Sequence, residues 1–280
     1  MEQLSLMSER EIFEFANSTN IESWYPVLEP FTMPTRFVPL DREDMGSLLQ
    51  AMELRTSGKT LPPDLQRARS VLEERVGAAV RSLGAAFVRL SQRSPKDSPV
   101  AMERGKAYFR SQLEEVQGDE WARNLLLVRA QKFGMKVRTG AEAVELITTS
   151  TRVLDDLRDC QRFGYDPQVI VRKWLEIPEW AEFRGFVDER KLVGLSQYFY
   201  YCNFPEIRDR RDEILERIFG FFGEVKELLP VASCVVDFAL PQDEDRVIVL
   251  ELNPFFVGTD ACTFSWKSDK FEEFEFRYVH

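Results

Sequence analysis

The chain has 280 residues, a length that fits one large domain or two small ones. Its 37 Lys and Arg residues stand against 47 Asp and Glu residues, which gives a formal charge of −10. Because phosphates attract clustered cations, this balance argues against general binding to nucleic acids or anionic membranes. The single histidine, His280, is the last residue, which argues against Ser-His-Asp or Cys-His catalysis and histidine-based zinc sites.

The four cysteines and the glycines narrow the class of protein further. Cysteines stand at positions 160, 202, 234 and 262, and no two have the C-x-x-C spacing of a metal or redox pair. This usage, an acidic N-terminal segment and the lack of a stretch of about 18 apolar residues predict a cytoplasmic protein with no membrane segment. The glycines form neither G-x-G-x-x-G nor a P-loop, so a bound nucleotide would need another type of site. We expect a monomer.

The first half of the chain is predicted to be mainly helical. Four prolines in residues 24–40 predict an extended, packed segment there. Leu65, Leu72, Val76 and Leu83 recur at helical spacing before Gly84. The predicted elements are a short helix within 1–18, a helix over 64–83, a strand over 85–91, and helices over 120–133, 141–149 and 153–163.

The second half changes in character near residue 165. We predict a strand over 168–175, a hairpin of 182–187 with 191–196, a long helix over 206–229, and a hairpin of 234–240 with 246–252 around an acidic turn at 242–245. Strands grouped in hairpins with helices between them predict an α+β fold with largely antiparallel sheets. We expect one unit with two approximate lobes, 1–165 and 166–280, in which residues 169–197 and 233–253 lie in one antiparallel sheet.

The last hairpin carries the strongest chemical pattern. Asp237 lies in VVDF, and the returning strand VLELNPFF contributes Glu251 and Asn253. Because strand side chains alternate, Glu251 and Asn253 share a face that Asp237 can also reach. Two carboxylates and an amide oxygen suit Mg²⁺ when substrate phosphates fill its other positions. The alternative is an ordinary solvated polar face of a sheet, although the strongly apolar neighbours argue against it.

Four segments together resemble the cell division cycle protein 123 family, whose metal-binding end resembles that of ATP-grasp proteins. They are SWYP (23–26), FVRLSQRSPKDS (87–98), VIVRKWLEIPEWAEFRGFVDERKLVGLSQ (169–197) and NPFFVGTDACTFSW (253–266). They occur in the family's order. The resemblance implies an ATP-grasp-like fold in which two α+β lobes with antiparallel sheets hold ATP in a cleft between them.

The resemblance also implies site residues. It makes Asp237, Glu251 and Asn253 the Mg²⁺ ligands and the strand 171–175 the hinge that reads adenine. Further contacts to ATP are expected from the side chains of Arg89, Asp97, Arg172, Lys173, Trp174 and Arg184. Alternative roles remain open, because these cations can form ion pairs across a sheet, Trp174 can be a core ring, and the S-P-K-D segment can be a surface turn.

Several positions depart from the family pattern. Arg89 replaces a phosphate-facing lysine, and its planar, bidentate guanidinium would change the geometry of phosphate binding. Tyr198 and Phe199 stand where the family has Arg-Asp after Ser-Gln. Residues 99–138 are additional helical material. These departures indicate a divergent member of the family.

Three functions are compatible with these features. The resemblance implies an ATP- and Mg²⁺-binding chaperone that assists assembly of eukaryotic translation initiation factor 2 through its gamma subunit or a related protein, with no nucleic-acid partner. The second is an ATP-grasp enzyme that performs ATP-dependent ligation or phosphoryl transfer. The third is a binding module that no longer binds ATP. We rank the assembly chaperone first and leave open whether ATP is hydrolysed.

Overall fold

The structure is a computed structural model that describes residues 7–242 and 246–280. Two compact units are present: the first contains 1–33, 118–128 and 175–280, and the second contains 34–117 and 129–174. The first six residues of the predicted N-terminal helix and residues 243–245 of the predicted acidic turn lie outside the described ranges. Within those ranges, no helix is long and apolar enough to cross a membrane.

The secondary structure has the following bounds. The α-helices are α1 (Glu9–Asn17), α2 (Ile21–Leu28), α3 (Arg42–Thr56), α4 (Pro63–Leu83), α5 (Pro99–Gln112), α6 (Glu120–Met135), α7 (Gly140–Thr149), α8 (Thr151–Phe163), α9 (Pro205–Asp209) and α10 (Arg211–Val225). The strands are β1 (Thr35–Pro39), β2 (Ala86–Leu90), β3 (Lys136–Val137), β4 (Gln168–Lys173), β5 (Glu182–Asp188), β6 (Lys191–Gln197), β7 (Cys234–Ala239), β8 (Ile248–Pro254) and β9 (Glu275–Arg277).

The first unit is built on a five-stranded sheet with the order β8-β7-β5-β6-β9. Both predicted hairpins are confirmed, since β5 pairs with β6 and β7 pairs with β8 in antiparallel register. Only the short β9 joins in parallel, along β6. On one face, the helix α10 buries Ile214, Ile218 and Phe222, and its Phe221 ring meets Phe238 of β7 with centroids 6.2 Å apart.

The second unit contains a four-stranded sheet with the order β1-β4-β2-β3 and antiparallel pairing throughout. The helices α4 and α7 pack on each other and contact this sheet. The two helices can cross this closely because residue 140 is a glycine: a Cβ at that position would overlap the carbonyl of Glu73. The predicted helix over 64–83 is confirmed as α4, which ends at Gly84 with φ +80°.

The sheet predicted for the strand over 168–175 is wrong. We expected residues 169–197 and 233–253 in one antiparallel sheet, but β4 lies between β1 and β2 in the four-stranded sheet. Its apolar run Val169–Val171 is fully buried, as is typical of a central strand with neighbours on both edges. Closeness in sequence to the β5–β6 hairpin was therefore a poor guide to which sheet β4 joins.

The extended segment predicted over 24–40 is wrong in its first part. Residues 21–28 form the helix α2, which contains Pro26, and only β1 is extended. The buried residues Ile21, Trp24, Tyr25 and Leu28 follow the i, i+3, i+4, i+7 spacing of a helix face. The prediction gave the prolines more weight than this spacing. The predicted helix over 206–229 is also interrupted, at Arg210, between α9 and α10.

Candidate functional site

A polar row crosses the whole sheet of the first unit. The register pairs Glu251 of β8 with Asp237 of β7, Asp237 with Arg184 of β5, Arg184 with Ser196 of β6, and Ser196 with Arg277 of β9. Paired residues share a face, so five polar side chains from five strands form one line. We call these five residues the polar row. The prediction that Asp237 and Glu251 oppose each other is confirmed.

The centre of the polar row is a buried ion pair. Nε and Nη2 of Arg184 each donate to a carboxylate oxygen of Asp237 over 2.8 Å, the bidentate geometry that gives the strongest charge-assisted bonds. Burial alone would lower the pKa of Arg184, but the charge of Asp237 and its hydrogen bonds raise that pKa well above its usual value. Asp237 is therefore a charged acceptor held in a fixed orientation.

The predicted metal ligands lie at one end of this row. Asp237 and Glu251 are directly paired, and Nδ2 of Asn253 lies 3.4 Å from Oδ2 of Asp237. Two carboxylates and an amide oxygen on one face fit the oxygen chemistry of Mg²⁺. Over residues 7–242 and 246–280, no group of three or more His, Cys, Asp or Glu side chains is placed to hold a metal. Metal binding by Asp237, Glu251 and Asn253 therefore stays a prediction, and both oxygens of Asp237 accept hydrogen bonds from Arg184.

The segment after β8 covers the face that carries the polar row. Nη1 of Arg184 donates to the carbonyl of Asp260 over 2.7 Å, and the Ser196 hydroxyl lies 2.7 Å from that of Thr263. Beside them, Phe264 packs on Phe186 with centroids 5.0 Å apart. Ser196 and Asp260 are therefore parts of this site that the sequence prediction missed, although both lie inside the quoted family segments.

In the second unit, two buried arginines share one face of the four-stranded sheet. Arg89 of β2 pairs with Ile170 of β4, two residues before Arg172, so alternation directs both side chains to one face. Nε of Arg89 donates to the carbonyl of Leu90 over 3.1 Å, and its Nη2 donates to that of Gln92 over 2.6 Å. Arg89 thus stabilises the turn after its own strand.

The neighbours of Arg172 extend this basic face. Nε of Arg172 lies 3.3 Å from the Thr35 hydroxyl. Register places Lys136 and Arg172 on either side of Phe87, and Nζ of Lys136 lies 5.0 Å from the centroid of the Trp174 ring. We call Arg89, Lys136 and Arg172 the cation face. Lys136 was not predicted, because only the pairing of the two-residue strand β3 brings it here.

Of the other predicted ATP contacts of this unit, Trp174 lies beside the cation face, whereas Lys173 does not. Lys173 is exposed, and alternation directs it to the face opposite Arg172. The amides of Lys173 and Trp174 donate to the carbonyls of Pro34 and Ala85, so both belong to the hydrogen bonding around the sheet. Two backbone amides within the predicted hinge, residues 171–175, therefore already have hydrogen-bond partners.

Asp97 caps a helix. Its carboxylate accepts hydrogen bonds from the hydroxyls of Ser150 and Thr151 and from the amide of Arg152, at the start of α8. Burial opposes ionisation, yet these hydrogen bonds outweigh it and lower the pKa of Asp97. The sequence S-P-K-D is a turn that positions this cap, so the structure gives Asp97 a structural role that sequence spacing did not reveal.

Comparisons with known proteins place this chain among relatives. Residues 126–280 match the model of the D123 family. A Xenopus laevis protein described as "Translation initiation factor eIF2 assembly protein" is 26% identical over 279 residues, covering 87% of this chain and 74% of that protein. A "Cell division cycle protein 123" of Yarrowia lipolytica is 31% identical over 124 residues, 41% of this chain and 33% of that protein. A second eIF2 assembly protein, of Xenopus tropicalis, is matched over only 43% of its length.

The fold also matches a solved structure. The Cdc123 structure of Schizosaccharomyces pombe superposes with a TM-score of 0.64 at 18% identity, covering 92% of this chain and 94% of that one. A C-terminally truncated form gives the same TM-score over 96% of this chain. This likeness confirms the α+β, ATP-grasp-like fold expected from the sequence.

Proposed function

The chain belongs to the D123 family, and we propose that it is an ATP- and Mg²⁺-binding factor that assists assembly of eukaryotic translation initiation factor 2. Relatives that carry the description "Translation initiation factor eIF2 assembly protein" support this proposal. We further propose the gamma subunit, or a related protein, as the partner. The observation that carries the nucleotide part is the polar row, which pairs Asp237 with Glu251 beside Arg184.

Phosphate binding is assigned to the cation face of the second unit. Arg89, Lys136 and Arg172 put three cationic side chains on one face of a sheet in a chain with a net charge of −10. A guanidinium can donate two parallel hydrogen bonds to a phosphate. Lys173, Trp174 and Asp97 remain predicted contacts, and the geometry favours them less than it favours Arg89 and Arg172.

Metal binding is assigned to Asp237, Glu251 and Asn253 of the first unit. Mg²⁺ gives up its water ligands reluctantly and is usually held by one or two carboxylates together with substrate phosphates. When bound, the ion would neutralise phosphate charge. Arg184 holds the Asp237 carboxylate in place through two hydrogen bonds, and it is itself a candidate phosphate contact.

Assembly of initiation factor 2 from its purified subunits tests the proposed function. The purified chain is mixed with the separate alpha, beta and gamma subunits of initiation factor 2, and complex formation is followed with ATP and Mg²⁺ and without ATP. We expect ATP-dependent acceleration with little release of ADP or AMP. Glu251→Gln should reduce the acceleration, whereas Glu275→Gln, which alters an exposed carboxylate on β9, should leave it unchanged.

Two results would contradict the proposal. Complex formation that is equally fast with and without the chain would remove the assembly function. Release of ADP or AMP on addition of an acid and an amine would favour the alternative, an ATP-grasp ligase.

A further inference from the structure

Three aromatic side chains are exposed together in the first unit. Tyr200 and Tyr201 lie in the turn after β6 and are 41% and 42% exposed, with ring centroids 6.2 Å apart. Trp121 of α6 is 42% exposed, and its indole N–H donates to the carbonyl of Asn203 over 2.6 Å. We call Trp121, Tyr200 and Tyr201 the aromatic surface. Exposed large aromatic groups that cluster in this way mark interaction sites.

The turn that carries the two tyrosines is held in a fixed conformation. The buried Gln197 donates from Nε2 to the carbonyls of Phe199 and Cys202, each over 2.8 Å. Its Oε1 accepts from the amide of Val279 over 2.8 Å. One amide side chain therefore holds both ends of the turn. A surface fixed before binding loses little conformational entropy when a partner docks.

Carboxylates lie near the turn that carries the two tyrosines. The charge of Asp260 is the main reason that the pKa of Tyr200 is raised, with burial second. Burial raises the pKa of Cys202, and the charges of Glu179 and Glu206 add to that effect. The surroundings of the two tyrosines are thus net acidic.

Two cations lie near this region but are engaged elsewhere. Arg184 acts on Tyr200 in the opposite direction from Asp260, yet it is buried in its pair with Asp237. Arg210 pairs with Glu213 and stacks over the Trp180 ring. Neither guanidinium therefore cancels the acidic character of the exposed surface.

We propose that the aromatic surface docks a polypeptide segment that presents arginine or lysine side chains. The faces of tyrosine and tryptophan rings attract cations, and Asp260 and Glu206 supply opposite charge at the edge. This goes beyond the proposed function, because the three rings are assigned neither to ATP nor to metal and the surface does not require initiation factor 2 as the partner; Asp260 contributes its carboxylate here and its backbone carbonyl to Arg184 of the polar row.

Charge argues against an acidic segment, a nucleic acid or a second copy of this chain as the partner that docks on the aromatic surface. An acidic segment or a nucleic acid would bring its negative charge to Asp260 and Glu206. A second copy of this chain, with a net charge of −10, would bring carboxylates to carboxylates. A basic segment is the occupant whose charge matches both the rings and their surroundings.

The test is fluorescence anisotropy with a labelled peptide of alternating Arg and Gly, compared with one of alternating Glu and Gly. Tyr200→Ala and Tyr201→Ala should each raise the Kd of the Arg peptide about two- to fivefold, the range for exposed cation–π contacts. Tyr200→Phe keeps the ring and should bind like the wild type. Asp260→Asn should also weaken binding and reduce its dependence on salt.

The matched control is Phe219→Ala, which removes a ring of similar exposure, 43%, from α10. The proposal is overturned if this control weakens binding as much as the tyrosine variants do, or if the Glu peptide binds as tightly as the Arg peptide. Concentration-dependent dimerisation that is lost in Tyr200→Ala would also overturn it, in favour of a second copy. Circular dichroism confirms that each variant is folded.

Discussion

Arg184 and Arg89 are both buried, at 5% and 4% exposure, but they are stabilised in different ways. Arg184 meets a carboxylate: two of its nitrogens bind Asp237. Arg89 donates instead to the carbonyls of Leu90 and Gln92 at the end of its own strand. Arg184 thus makes two hydrogen bonds to a carboxylate across a sheet, and Arg89 makes hydrogen bonds to two carbonyls at the end of its strand.

This difference distinguishes the polar row of the first unit from the cation face of the second unit. In the five-stranded sheet, the Arg184–Asp237 pair is balanced before any ligand arrives, so its position is fixed in advance. On the cation face, Arg89 and Arg172 donate to backbone carbonyls and to the Thr35 hydroxyl, and the charge of Arg89 also acts on the carboxylate of Asp156. We propose that the polar row holds its side chains in a fixed geometry and that the cation face attracts a phosphate anion.

The largest effect should follow from breaking the buried pair. Asp237→Ala leaves the Arg184 guanidinium buried with the Asp260 carbonyl as an acceptor. Removing one partner of a buried ion pair typically costs about 3–5 kcal/mol of the free energy of unfolding. Urea denaturation measures this loss. Asp269→Ala is the control, because it breaks the more exposed pair with Arg277 and should cost about 1 kcal/mol or less.

Asp237→Asn tests the contribution of the charge by the same measurement of urea denaturation. The amide keeps one acceptor for Arg184 but removes the charge, so we expect a folded protein of reduced stability. An unfolding curve identical to that of the wild type would contradict the view that the pair is fixed by its charges.

Arg89→Ala should have the next largest effect. It removes a cation from the proposed phosphate face and should weaken ATP binding by about 1.5–3 kcal/mol, the range for hydrogen bonds to charged groups. Calorimetry measures the affinity, and Arg93→Ala, which removes a guanidinium paired with Asp156, is the control. Unchanged ATP affinity in Arg89→Ala would limit Arg89 to its role in the turn after β2.

Asp97→Asn should have a smaller effect that depends on pH. Losing the negative charge at the start of α8 should cost about 0.3–1 kcal/mol of the free energy of unfolding at pH 7, the range for a charge near a helix terminus. Because the pKa of Asp97 is lowered by folding, its contribution is present above its usual pKa of about 4 and is lost as the pH falls through the folded value. Thermal unfolding at pH 7 and pH 3 should show the difference between variant and wild type shrinking in acid. A constant difference would argue against the charged cap.

The smallest expected effect concerns the reactivity of the four cysteine thiols. Burial raises the pKa of Cys234 to about 12, and Cys160 and Cys202 are also buried, whereas Cys262 is half-buried. Native protein should therefore react with a thiol reagent at pH 8 mainly at Cys262, and Cys262→Ser should remove that reaction. Equal reactivity of several thiols would show that the sheet around β7 opens easily.

The secondary-structure elements that depend on short-range residue patterns could be predicted from the sequence. Helical spacing located α4, and the strand patterns on either side of residues 242–245 located the β7–β8 hairpin, on which Asp237 and Glu251 were expected to share a face. The four family segments gave the fold, because together they span both units. Local spacing would also have located α2 if its prolines had been given less weight.

Long-range pairing could not be predicted in this way. The strand β4 joins β1 and β2, which lie more than 70 residues earlier in the chain, and Lys136 reaches the cation face only through β3. The partners of buried charges were missed for the same reason. Nothing in the spacing of Arg184 or Asp97 indicates that one binds Asp237 and the other caps α8.

The most direct test of the account is a calorimetric titration of the wild-type protein with ATP, in Mg²⁺ and in excess EDTA. Two carboxylates near a triphosphate repel it unless a cation lies between them, so ATP should bind more tightly with Mg²⁺ than with EDTA. Glu251→Gln should narrow that difference without disturbing the Arg184–Asp237 pair. Equal ATP affinity in Mg²⁺ and in EDTA would contradict the assignment of Asp237, Glu251 and Asn253 as a metal site.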